Sequence, residues 1–285
     1  GSKMFGSVRM KKTGMFCLRW GITVLIALIV LVPLYWIVLS SFTPYSEIFK
    51  SPINYFPDYL TGENYAYLVE KVDLWGKAGN TLLITGAAIL CSTVVCLMCA
   101  YAVARFKYKI VSVAFTFLLG SSLIPIIVTA RPMFDLMSKL GLVNTYQGLT
   151  MLYTSNLIPF TVLILSNFLG KLPPAIDEAA AVDGANQWQR IFHITMPLLR
   201  PAIATVCIIN FINCLNELFT PLFFSLTIEP LSVAITTIPR RGMTNLLPWD
   251  LVSAMGCVIL APIVLFVVVF EKNIIEGIIA GGVKA

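Results

Sequence analysis

Charged residues punctuate this chain rather than fill it, and that spacing constrains the fold more than any other feature. The uncharged runs are 20–46, 78–104, 110–130, 140–170, 201–216 and 251–270. All but 201–216 reach the about 20 residues that a helix needs to cross a bilayer core. The fifth run is interrupted at Glu217 and then stays apolar to Ile228. In lipid every backbone group must bond within its own segment, so helices are the natural solution. The two-residue alternation of a membrane barrel is absent. The expectation is an all-α integral membrane protein with six transmembrane helices, a single domain over 1–285. Composition agrees: 58% of residues are hydrophobic and 12% charged, where a soluble domain carries about 25% charged. The mean hydropathy is +0.86.

Lys and Arg counts give the orientation. With the N-terminus in the cytoplasm, the inner segments are 1–19, 105–109, 171–200 and 271–285, and they hold thirteen of the 20 Lys and Arg. The outer segments hold seven: Lys50, Lys71, Lys77, Arg131, Lys139, Arg240 and Arg241. Arg105-Phe-Lys-Tyr-Lys109 is the sharpest local anchor, and Arg240-Arg241 runs against the rule. Both termini are therefore expected in the cytoplasm of a multi-pass protein. The net charge of +6 follows from this topology. Its basic residues are dispersed at helix ends, which argues against nucleic acid as a partner. The first apolar run is too long for a signal peptide and no small-residue cleavage site follows, so it reads as the first span. Gly1-Ser2 reads as an appended or processed start.

The residue inventory excludes most chemistry. The seven cysteines lie in or beside apolar spans. Cys96-Leu-Met-Cys99 has the C-x-x-C form, but a redox pair needs a polar, accessible helix start, so these read as small packing residues. His193 is the one histidine and has no partners at metal-ligand spacing. There is no G-x-x-x-x-G-K-[ST] run to cradle phosphates and no nucleophile–base constellation. No catalytic, cofactor-binding or metal residue is expected on this chain.

The polar island 171–200 has a readable local structure. Pro173-Pro174 stops the fourth span, because proline cannot continue a helix. Ile176–Val182 is Ala-rich and helix-favouring, with Asp177 and Glu178 in the first turn where the macrodipole favours negative charge. Gly184 sits where a helix closes with a left-handed residue. Asn186 with Gln189 three positions on predicts a capping box and a second short helix. Trp188, Ile191 and Phe192 share one face of it. Pro197 and Pro201 end it and open the fifth span. A helix–turn–helix lying across the membrane surface is expected, with or without a partner.

Within that island, Glu178-Ala179-Ala180, three residues, Gly184, nine residues and Ile194-Thr-Met-Pro197 form one pattern. It resembles the cytoplasmic signature loop of permease subunits in ATP-binding-cassette (ABC) importers, with Met196 in place of the usual Leu. Asn80-Thr81, Ala100-Tyr-Ala-Val-Ala-Arg-Phe106, Lys139-Leu-Gly-Leu-Val-Asn-Thr145 and Asn216-Glu217 followed by Pro221-Leu222 are similar to carbohydrate-type permeases of that class. Leu215 replaces a Trp often seen there. The tail Glu276–Ala285 resembles the end of the second, shorter permease of maltose-type importers.

The resemblance implies a type I importer fold in a bacterial or archaeal cell membrane. It also implies partners: a second permease subunit as a heterodimer, two ATPase subunits carrying ATP and Mg, an extracellular or periplasmic solute-binding protein, membrane lipid and a sugar substrate. Glu178, Ala179, Ala180, Asp183, Gly184, Trp188, Phe192, Ile194 and Pro197 become ATPase-coupling residues. The outer segments 43–77 and 225–250 become candidates for contact with the binding protein, or passive connectors. The Gly-rich tail after 277 is expected to take an extended path down to the ATPase pair.

Polar residues inside a span are costly unless they face a cavity or a partner. Asn210, Asn213 and Glu217 fall on one stripe of the fifth span, bordered by Asn216. They either line the translocation pathway or bond neighbouring helices. Two other classes compete with this reading. An ion-coupled secondary transporter would need its own embedded ionisable site, for which only Glu217 qualifies. A membrane enzyme has no constellation to support it.

Overall fold

The structure, a computed structural model, describes the backbone of residues 2–52, 55–57, 59–240 and 246–282, and the side chains of 16, 18–52, 55–57, 59–240 and 246–271. The described residues form fourteen α-helices and one π turn, with no β-strand among them. In order, the helices are α1 (Ser2–Ser41), α2 (Tyr45–Ile48), α3 (Glu63–Lys71), α4 (Leu74–Arg105), α5 (Lys109–Ser121), α6 (Ile126–Lys139) and α7 (Tyr146–Lys171). They continue as α8 (Ala175–Val182), α9 (Gln187–Gln189), the π turn (Arg190–Thr195), α10 (Met196–Leu198), α11 (Arg200–Asn216), α12 (Phe219–Phe224), α13 (Leu231–Ala234) and α14 (Trp249–Gly282). The chain divides into two compact units, residues 1–71 with 238–258, and residues 72–237 with 259–285.

Four single helical stretches are long and apolar enough to cross a membrane: Leu18–Ser41, Leu74–Arg105, Tyr146–Lys171 and Trp249–Glu271. Six spans result when two bent pairs each count as one. The third expected span is one such pair, α5 and α6, bent by 104°. Its cause is local. The hydroxyls of Ser121 and Ser122 donate to the carbonyls of Leu118 and Leu119, both at 2.7 Å. Pro125 then precedes α6 with an extended ψ of 132°, and proline also disfavours helix in the residue before it. The other bent pair joins 187–198 to α11 at 77°, and the expected fifth span also breaks at the far end of α11. Its helix α11 has 17 residues, about 25 Å at 1.5 Å per residue, and ends before the extended Glu217. The Glu217 carboxylate accepts from the Thr220 amide, in the first turn of α12, at 2.8 Å.

In the first unit, α3 is stitched to the end of α1. The Asn64 amide donates to the carbonyls of Ser41 and Thr43 at 3.0 and 3.1 Å, and the Tyr65 hydroxyl donates to Ser41 Oγ at 2.8 Å. Leu251, Ala254 and Met255 of α14 are buried there. None of the apolar window of α1 is buried, as suits a helix facing lipid or another chain.

The second unit is organised by α4 against α7. Ala88, Ser92, Cys96 and Ala100 recur every four residues along α4 and all are 0% exposed. Lipid is as apolar as leucine, so membrane helices associate by close packing rather than by escape from water, and small residues permit the close approach. Val162, Leu165 and Leu169 of α7 complete this core together with Ala202 and Val206 of α11. Cys96 thus serves as a small packing residue, its thiol 3.7 Å from the Ile158 carbonyl. Backbone helix continues to Gly282 in α14, with one non-helical residue at Phe270. The extended tail expected after Gly277 is therefore helical as far as Gly282, and 283–285 lie outside the described residues.

Candidate functional site

The island 171–200 folds by the local rules its sequence carries. Gly184 has φ of +83°. Its amide donates to Ala181 and that of Ala185 to Ala180, at 3.1 and 3.0 Å. That pair of bonds is the Schellman closure, which satisfies the last carbonyls of α8. Asn186 and Gln189 bond reciprocally, side chain to backbone, at 2.9 and 2.8 Å. This capping box starts the second helical piece. That piece is not a plain α-helix, since Arg190–Thr195 widens to a π turn, a rare form frequent at functional sites. It then meets α11 at a 77° bend.

The loop has two faces. Ile191, Thr195 and Leu199 are buried, and Ile191 and Leu199 enter the α4–α7–α11 core with Phe192 packed behind them. The opposite face exposes Glu178, Ala179, Asp183, Gly184 and Trp188. Trp188 stacks on Phe192 at 6.0 Å and 9° while staying 57% exposed. Trp188 therefore separates from Ile191, which the sequence had placed with it. Phe192, Ile194 and Pro197 are half-buried. Ala180, expected among the coupling contacts, is buried at 7%, because it lies one position past the outward pair Glu178-Ala179. Val182 was missed and is 88% exposed. Its only signal is a β-branched apolar residue beside Asp183-Gly184, where a helix ends. His193 is exposed, and no group of three His, Cys, Asp or Glu that could hold a metal occurs among the described residues.

A polar clasp under the loop was also missed. Asp177, in the first turn of α8, forms an ion pair with Nε of Arg105, the last residue of α4, and both side chains are nearly buried. Arg105 Nη1 also donates to the Leu172 carbonyl at the end of α7, 3.2 Å away. Thr195 Oγ1 lies 3.5 Å from the other Asp177 oxygen. Breaking a buried pair strands the remaining charge, at about 3–5 kcal/mol. The sequence offered each member a separate role, Arg105 as a topology anchor and Asp177 as a helix-dipole acid.

The polar stripe of the fifth span divides. Asn210 is 1% exposed and exchanges hydrogen bonds with Thr161 of α7, at 3.0 and 3.3 Å. It therefore packs between helices. Asn213 and Glu217 do line one, of about 260 Å³, with Tyr153, Asn156, Leu157 and Cys214. Asn216 is exposed outside it. Asn156 was missed, although an Asn inside an apolar run is itself a signal.

The far end of α4 is also tied down. Lys77 pairs with Glu229. Asn80 accepts from the Tyr146 hydroxyl at 2.7 Å and donates to the Glu229 carbonyl at 3.2 Å. Asn144, at φ +58°, accepts from the backbone amides of Leu226 and Thr227 at 2.9 and 3.0 Å. The segment Lys139–Thr145 thus anchors the start of 225–250. In the first unit, Tyr45, Phe49 and Trp249 help to line an apolar hollow of about 620 Å³.

Comparison with known proteins bears on all of these features. The family of binding-protein-dependent transport system inner membrane components matches residues 14–279. The trehalose/maltose transport system permease protein MalG of Thermococcus litoralis is 30% identical over 263 residues, 92% of this chain and 94% of that protein. The arabinooligosaccharides transport system permease protein AraQ of Halalkalibacterium halodurans is 30% identical over 285 residues, 96% of this chain and 100% of that protein. Among solved structures, a bacterial ABC transporter importing the acidic polysaccharide alginate aligns with a TM-score of 0.74 at 21% identity, over 95% of this chain and 96% of that one. The MetNI methionine ABC transporter aligns at 0.55 and 16% identity, over 76% of this chain and 99% of that one.

Proposed function

We propose a mechanism from one premise: this chain belongs to the binding-protein-dependent transport system inner membrane components. It is a membrane-spanning permease subunit of an ABC importer. The substrate is a sugar or oligosaccharide, a reading supported by relatives named for trehalose, maltose and arabinooligosaccharides. A solute-binding protein delivers it from outside. A second permease completes the pathway, and two ATPase subunits hold ATP and Mg on their own chains. The N- and C-termini lie in the cytoplasm.

The single observation that carries the coupling assignment is the two-faced loop. One face is built into the helix core through Ile191 and Leu199. The other exposes Val182 and Trp188 beside Glu178 and Asp183, a mixed apolar and acidic surface suited to a protein partner. ATP binding closes the ATPase pair, the loop carries that motion into α4, α7 and α11, and the pathway alternates its access. Hydrolysis resets it. Asn213, Glu217 and Asn156 offer amides and a carboxylate to sugar hydroxyls along that pathway. A secondary transporter would rest on Glu217 alone, and the family match favours the importer.

Reconstitution tests the reading. The purified chain alone is expected to hydrolyse no ATP. The chain with its ATPase subunits, second permease and binding protein is expected to hydrolyse ATP and to take up at least one sugar from a panel of trehalose, maltose and arabinooligosaccharides. Robust turnover by the isolated, contaminant-free chain would overturn it.

A further inference from the structure

Four segments of the second unit meet at one pair of side chains. Arg105 closes α4. Its guanidinium grips Asp177 of α8 through Nε and the Leu172 carbonyl at the end of α7 through Nη1. Asp177 offers its second oxygen to Thr195 in the π turn. The clasp is nearly shut off from water, so salt and solvent screen it little. A planar guanidinium can bind two acceptors in fixed directions, which a lysine ammonium does not do. The apolar contacts of the loop with the core, by contrast, are non-directional.

We propose that Arg105 and Asp177 are positioning residues that make the loop and the ends of α4 and α7 move as one body, so that a push on the exposed face reaches the spanning helices. The proposal rests on the reading of that face as the ATPase contact. Loss of the clasp should leave the loop folded, since Gly184 and the Asn186–Gln189 box close it independently. It should let the loop move without α4.

The test needs no substrate. In the assembled transporter, with the seven native cysteines of this chain replaced, nitroxide labels are placed at Lys107→Cys, just past α4, and Gln187→Cys, at the start of α9. Both sites are exposed. Pulsed electron resonance then reads the distance between them with and without ATP. In the otherwise native chain the distribution is expected to stay narrow and unmoved by ATP. In Asp177→Asn it is expected to broaden and to shift when ATP binds, with the ATPase subunits still attached. Asp177→Glu, which keeps the charge, is expected to restore most of the native behaviour. A merely structural role would lower the yield of assembled complex without making the distance respond to nucleotide. An Asp177→Asn distance that ignores ATP overturns the proposal, as does a native distance that moves with ATP. Failure of the native chain to retain any ATPase subunit is a different result, and it removes the underlying docking reading together with this one.

Discussion

The α4–α7 pair and the α11–α12 segment both cross apolar sequence, yet they are built on opposite principles. The first is continuous and joined by a stripe of small residues, Ala88, Ser92, Cys96 and Ala100, with no exposed surface. The second stops at Glu217, turns, and restarts with the Thr220 amide bonded to the Glu217 carboxylate. Close packing leaves no room for a ligand and resists deformation. A broken helix exposes polar groups where a cavity can form, at Asn213 and Glu217. The comparison teaches that rigidity and polarity are divided between helices of one unit, with Asn210 on the packing side of the line despite its side-chain chemistry.

The largest effect should come from spoiling the stripe. Ala100→Phe adds a ring where there is no space, and overpacking costs about 1–3 kcal/mol or more. The expected result is a marked fall in detergent-solubilised folded protein and in thermal midpoint. A midpoint equal to that of the native chain would mean that α4 and α7 do not pack through Ala100.

A smaller effect should separate the two asparagines. Asn210→Leu strands Thr161 in a buried position and is expected to cost about 1–2 kcal/mol, in the range of interhelical hydrogen bonds in membranes. Asn213→Leu replaces an exposed side chain at the cavity and should leave thermal stability within about 0.5 kcal/mol while lowering sugar uptake by the assembled complex. Equal stability losses at the two positions would erase the distinction between packing and lining. Unimpaired uptake by Asn213→Leu would remove the cavity from the pathway.

What was legible in the sequence follows the range of each interaction. Gly184 and the Asn186–Gln189 box were readable because their partners lie within four residues. The apolar runs were readable as spans and the fifth as interrupted at Glu217, but the 104° bend of the third was not. Counting hydrophobic residues ignores Ser121, Ser122 and Pro125, which bend the third span with backbone chemistry. The Arg105–Asp177 clasp joins residues 72 positions apart, and nothing local to either names the other. The stripe of Asn210, Asn213 and Glu217 has one helical period whether it faces a neighbour or a cavity. Only Thr161, on another helix, decides for Asn210, and the end of α11 before Glu217 takes that residue off the helix altogether.

The central claim is that the exposed face of the loop, held from behind by the core, is where the ATPase docks. Co-purification of the ATPase subunits with Trp188→Glu and with Gly184→Pro tests it most directly. The first puts a charge on the exposed face without touching the core. The second removes an amide that bonds Ala181 and demands a φ near −65° where the chain holds +83°. Both variants are expected to insert in the membrane at native levels and to lose the ATPase subunits, by at least about tenfold for the loss of about 1.4 kcal/mol in binding. Retention of the ATPase at native levels by both variants would contradict the account.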